Sequence, residues 1–259
     1  MIPSSAKAVA IICGIAFAAT FGSTISSHAF DNSRQASTVR ILSGDQHGSG
    51  VIIKHSEGGY WVITNQHVLD GESVHCIESS GGDRYQGHLV PLASNKDDLA
   101  LLWFNAGDKE EQVAELAYEQ SESGEAIELV IATGYPATKE YVERPGLTIP
   151  LLGEPLEGGY TLTYTSDIDK GMSGGGVFDE NDRLIGLNAA HQEPLWEASR
   201  NYQSGEPVTA KLNQQLDLVA LGISIKKIRL VLESYKYLKN REAPTGELIT
   251  CKQDYPNEN

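Results

Sequence analysis

The chain has 259 residues, 40% of them apolar, enough for one large globular domain or two small ones. Its formal charge is −15 and it has no long basic run, which argues against nucleic acid as a partner. The seven histidines and three cysteines show no H-x-x-x-H or C-x-x-C spacing, so no metal site is expected, and no cofactor either.

Residues 1–29 differ from the rest. Lys7 precedes an apolar run from Ala8 to about Phe21, and Ser27 and Ala29 flank His28 as small residues. That is the layout of a cleavable signal peptide, with cleavage expected after Ala29. An uncleaved anchor is the alternative, but the run is short for a membrane span. The expectation is export to the periplasm or the cell exterior, with no stable membrane insertion once the signal is removed. Cys76 and Cys251 then remain. An oxidising compartment permits a disulfide between them, and two separate thiols are the other reading.

Short runs rich in Val, Ile, Thr, Tyr and Leu follow in chain order. They predict strands near 37–42, 50–54, 60–64, 74–78, 85–90 and 99–104. A polar, turn-rich break covers 117–125. Beyond it strands are expected near 126–133, 159–164, 175–178, 184–189 and 218–223. Two stretches, 134–159 with four prolines and 191–207, read as long loops. The confident helix starts after Ser224, a plausible N-cap, with Ile225, Ile228, Leu232 and Tyr235 on one face. A polar tail follows.

Three fragments carry chemistry. A serine hydroxyl is a poor nucleophile unless a base and an orienting group stand beside it. Ser173 lies in GMSGGGVF. Upstream, the strand WVIT delivers His67 in WVITNQHVL, and DDLALL places Asp97 and Asp98 just before an apolar strand. Either carboxylate is a candidate, and the D-L-A-L spacing favours Asp98. The three fragments run His, Asp, Ser, separated by 31 and 75 residues.

Together with GSGVII and LIGLNAA, these fragments resemble the trypsin/chymotrypsin-like serine proteases, closest to the bacterial HtrA-like branch without a PDZ extension. The resemblance covers roughly residues 37–238. It implies an all-β fold of two packed six-stranded antiparallel β-barrels with a C-terminal α-helix. The first barrel would span about 36–118, the second about 119–224 and the helix about 225–238. These lie in a protease domain over 30–240, with the tail at 241–259. The resemblance also implies an endopeptidase acting on proteins or peptides, with Ser173 as nucleophile, His67 as base and Asp98 as its orienter. The backbone N–H groups of Gly171 and Ser173 would form the oxyanion hole. A peptide-binding pseudoprotease using the same cleft is the alternative.

Two features bear on regulation and specificity. Digestive members carry an aspartate just before the serine, which pairs with a new N-terminus. Here that position is Met172, so trypsin-type zymogen activation is not expected. The substrate pocket candidates are Asp167, Ile168, Asn188, Ala190 and His191, with basic, aliphatic and other preferences all open. His47, His55, His75 and His88 are read as ordinary surface or core histidines.

Overall fold

The computed structural model of the chain describes residues 31–56, 58–69, 74–92, 96–118, 127–137, 140–190, 200–236 and 251. The expected signal segment, His191 and, apart from Cys251, the C-terminal tail lie outside the described residues.

The chain opens with helix α1 (Asp31–Ser37) and runs through β1 (Thr38–Ser43), β2 (Gln46–Ser56), β3 (Gly59–Thr64), β4 (Val74–Glu78), β5 (Arg84–Val90) and β6 (Ala100–Phe104). These six strands close into an antiparallel barrel in the order β1-β2-β3-β6-β5-β4. Alternation along the strands decides which core each side chain enters. On β2, Ile52 joins Val39, Ile41, Val62 and Phe104 in one cluster. Its neighbours Val51 and Ile53 point the other way, into a cluster shared with the second half of the chain.

The second half contains β7 (Glu115–Leu116), β8 (Leu129–Gly134), β9 (Val142–Leu147), β10 (Leu162–Tyr164), β11 (Gly176–Phe178), β12 (Arg183–Ala190), α2 (Ala210–Leu216), β13 (Ala220–Ser224) and α3 (Ile225–Lys236). Its sheet runs β10-β13-β12-β11-β8-β9 and curls, so that its two edges meet at a single bridge between Thr148 and Tyr164. β7 adds one parallel pair to β12. The shared cluster brings Val51, Ile63 and Leu101 from the barrel against Leu184, Leu187 and Ile223 of the sheet and Ile225 and Ile228 of α3. Fully burying each such side chain is worth about 1.5–3 kcal/mol, so this cluster fixes the cleft between the halves.

Four of these helices and strands were not expected from sequence: the two-residue β7, and β9, α2 and α1. β9 falls inside the proline-rich stretch read as loop. It pairs only with β8, and an edge strand tolerates Pro145 because the missing N–H faces away from the ladder. α2 has seven residues, with Thr209 Oγ1 accepting from Leu212 N at 3.3 Å. α1 sends buried Arg34 to Glu143 of β9 in a two-bond clasp, both 3.0 Å, and to Asp182 of the β11–β12 turn. Ser224, expected as the N-cap of α3, instead ends β13, where its hydroxyl meets that of Thr161 at 3.0 Å.

Candidate active site

His67 sits on a single 3₁₀ turn, Gln66–Val68, directly after β3. Buried Val68 and Leu69 anchor that turn, leaving the imidazole about half exposed at 47%. Asp98 precedes β6, the neighbour of β3 in the barrel, so the ladder itself brings the two side chains together. The Asp98 side chain is 10% exposed. Its Oδ1 accepts from the His67 backbone N–H at 2.9 Å, and its Oδ2 lies 2.7 Å from His67 Nδ1. A carboxylate only accepts, so Nδ1 carries a proton, which in the neutral ring leaves Nε2 as the acceptor. Asn65 Nδ2 donates to the Asp98 carbonyl at 2.9 Å, fixing the backbone as well.

A third donor comes from the other half of the molecule. Tyr160 donates its hydroxyl to Asp98 Oδ2 at 2.9 Å. Burial first, then the Asp98 charge and this hydrogen bond, push the Tyr160 phenol well above its ordinary value, so it remains a donor. The turn before it is locked onto the same segment: Asp98 N donates to Gly158 O at 2.8 Å. Tyr160 is the site residue that sequence reasoning missed. Asp97, the competing carboxylate, faces away. It accepts from Gln203 Nε2 at 2.8 Å and pairs with Lys227 Nζ at 3.0 Å.

Ser173 lies in the turn between β10 and β11 of the second sheet, and that turn rests against β2 of the first barrel. Its carbonyl accepts from Ser49 N at 2.8 Å, and Ser49 Oγ donates to Gly171 O at 2.8 Å. Gly171 has φ 99°, a region that disfavours side chains, and a Cβ there would come 2.7 Å from Tyr135 O. Gly174 has φ 82° and would overlap Ser49 O. Met172 N is tied back to Asp169 O at 3.0 Å. The amides on either side of it, of Gly171 and Ser173, make no hydrogen bond among the described residues. The Ser173 hydroxyl donates to Ala189 O at 3.4 Å, and among the described residues it makes no hydrogen bond to His67.

The pocket candidates separate. Asp167 is exposed, whereas Ile168 is buried with Met172, Val130 and Tyr164. Asn188 is fully buried, and every polar atom of its side chain has a partner. Its amide donates to Thr133 O at 2.8 Å and Met172 O at 3.1 Å, and its Oδ1 accepts from Tyr164 at 2.7 Å. It braces the turn from beneath rather than presenting a polar atom to a ligand. Ala190 ends β12, paired with Leu221.

His47 of β2, beside the turn through Gly48, has an imidazole lowered in pKa by burial, with Lys170 and Arg40 adding to the effect. Among the described residues no cluster of three or more His, Cys, Asp or Glu side chains could hold a metal ion, and no helix is long and apolar enough to cross a membrane.

The fold also occurs in known proteins. The chain is 31% identical over 150 residues to the periplasmic pH-dependent serine endoprotease DegQ of Escherichia coli, covering 57% of this chain and 32% of DegQ. It is 29% identical over 152 residues to a probable periplasmic serine protease do/HhoA-like of Haemophilus influenzae, covering 57% of this chain and 31% of that protein. The matched region is thus about a third of the length of these relatives. Among solved structures, a serine endoprotease from Yersinia pestis superposes with TM-score 0.57 at 20% identity, covering 80% of this chain and 66% of the other. An inactive form of Rv3671c from M. tuberculosis H37Rv gives TM-score 0.57 at 17% identity, over 81% and 91% of the two chains. These two likenesses establish the fold. Residues 48–187, more than half of the chain and a span that includes the His67 turn, Asp98 and the Ser173 turn, match the family described as trypsin-like peptidase domain, and the chain belongs to that family.

Proposed function

We propose that this chain is an exported serine endopeptidase whose protease domain spans residues 30–240. The observation that carries the reading is the His67–Asp98 pair, with Nδ1 held at 2.7 Å, together with a serine on a glycine turn whose two amides are unengaged among the described residues. Family membership and relatives named as serine endoproteases support the same activity. Export rests on the character of residues 1–29 and on relatives named as periplasmic.

In this reading Ser173 Oγ leaves Ala189 O and turns toward His67. It attacks the scissile carbonyl while His67 Nε2 takes its proton. The carbonyl oxygen gains negative charge and is met by the Gly171 and Ser173 N–H groups. Asp98 stabilises the imidazolium, and Tyr160 holds the carboxylate in place. His67 then protonates the leaving amine, and water hydrolyses the acyl-enzyme by the same steps in reverse. Buried Met172 takes no part in an ion pair with a new N-terminus, so the turn is ordered without zymogen cleavage.

The test is digestion of casein, an unstructured protein, by the full chain beside Ser173→Ala. Cleavage by the wild type alone is expected, and the residues preceding each cut define the pocket. Binding of casein without cleavage by either protein would favour a pseudoprotease.

A further inference from the structure

Two of the three cysteines converge from distant parts of the chain. Cys76 lies in the middle of β4, paired with Leu42 of β1 and Gln86 of β5, and is 8% exposed. Cys251 belongs to the segment after α3. Its sulfur rests on β5, donating to Tyr85 O at 3.2 Å, next to Gln86, the strand partner of Cys76. The two thiols lie near enough to influence each other's ionisation, and both are free in this structure. Two thiols brought together on neighbouring strands from distant parts of the chain are the precondition for a disulfide between them.

We propose that Cys76 and Cys251 are a disulfide-forming pair that fastens the C-terminal segment to the β4–β5 face of the first barrel. Helix α3 packs against Leu187 and Ile223 of the second half. A bond from Cys251 back to Cys76 therefore strings the end of the chain across both halves.

The pair has a built-in division of labour. The interaction with Cys76 outweighs burial and, with Arg84 and the Ile77 backbone, draws the Cys251 thiol below its ordinary pKa. The same interaction, together with burial, pushes Cys76 upward. Cys76 is buried and Cys251 only partly so, which makes Cys251 the thiol an oxidant reaches first and, as its thiolate, the attacking one. It displaces one thiolate from a small disulfide oxidant such as glutathione disulfide, forming a mixed disulfide. Cys76 loses its proton to solvent and displaces the second thiolate, closing the protein disulfide. The two protein thiols are oxidised, and the oxidant is reduced to two thiols.

The assignment does not depend on the protease reading. The full chain is incubated with glutathione disulfide, denatured, alkylated and mapped by mass spectrometry without reduction. A Cys76–Cys251 peptide pair, two hydrogens lighter than the separate thiol peptides, is expected. Alkylation of both residues, separate glutathione adducts on each, or a bond through Cys13 would overturn the proposal. Thermal unfolding gives a second readout. Cys251→Ser should melt several degrees below the oxidised wild type and match it once reductant is added. Equal midpoints under oxidising conditions would refute the strap.

Discussion

The two halves of the molecule build their parts of the site by different means. In the first barrel, a closed ladder of regular strands places His67 and Asp98 at the adjacent ends of two neighbouring strands, and hydrogen bonds from Asn65 and the His67 backbone lock them. The second half does its work with turns: a left-handed Gly171, a braced Ser173 and a tyrosine reaching back from the loop after β9. The acid–base pair therefore rests on register, and the nucleophile and its amides rest on loop closure. Damage to the first half should show in proton transfer. Damage to the second should show in transition-state charge stabilisation and in the fit of the turn.

The largest effect is expected from breaking the first half. Asp98→Asn replaces an acceptor-only group with one that can present N–H to Nδ1 and favour the wrong tautomer. By analogy with the established triad, kcat should drop about 10⁴-fold with the fold intact, checked by casein-derived peptide kinetics and circular dichroism. Breaking the second half comes next. Gly171→Ala puts a Cβ 2.7 Å from Tyr135 O at a φ of 99°, so the amide must shift. Loss of one oxyanion donor costs about 10²–10³-fold in kcat. KM should change little, and a selective rise in KM would mean that the turn shapes the binding cleft instead.

Tyr160 joins the halves, and Tyr160→Phe isolates that link. Removing a hydrogen bond to a charged group should lower kcat/KM about tenfold. The carboxylate would then turn more of its charge on the imidazole, so the acid limb of the pH profile should move to higher pH. An unmoved profile would reduce Tyr160 to a packing residue.

The smallest effect separates the halves by stability. His47 on β2 and His88 on β5 are both lowered from 6.5, each mainly by burial. The unfolded chain binds protons more readily at these sites, so their contribution is complete above 6.5 and fades as pH falls below it. Thermal midpoints should decline on acidification, and less steeply in His88→Gln.

Legibility in the sequence follows the same division. Five of the six first-barrel strands were readable to within a residue at each end because apolar runs end in clear turns, while β2, expected at 50–54, extends over 46–56. His67, Asp98 and Ser173 stood out because local chemistry surrounds each of them. β9 was hidden by Pro145 and Gly146, which an edge strand tolerates and a propensity reading does not. Tyr160 was hidden for another reason. It contacts Asp98 across 62 residues, and nothing in the local EGGYTLT stretch marks it. Asn188 read as a pocket residue, but strand alternation turns it inward, where two carbonyls and Tyr164 take up its amide.

The central claim is that the acid–base pair of one half activates the serine of the other. Labelling by a fluorophosphonate measures this directly, because the reagent phosphonylates, with loss of fluoride, only a serine whose proton is being withdrawn. The wild type should be labelled at Ser173 alone, with His67→Ala and Ser173→Ala both unlabelled. Labelling that persists in His67→Ala, or its absence from a folded wild type, would contradict the account.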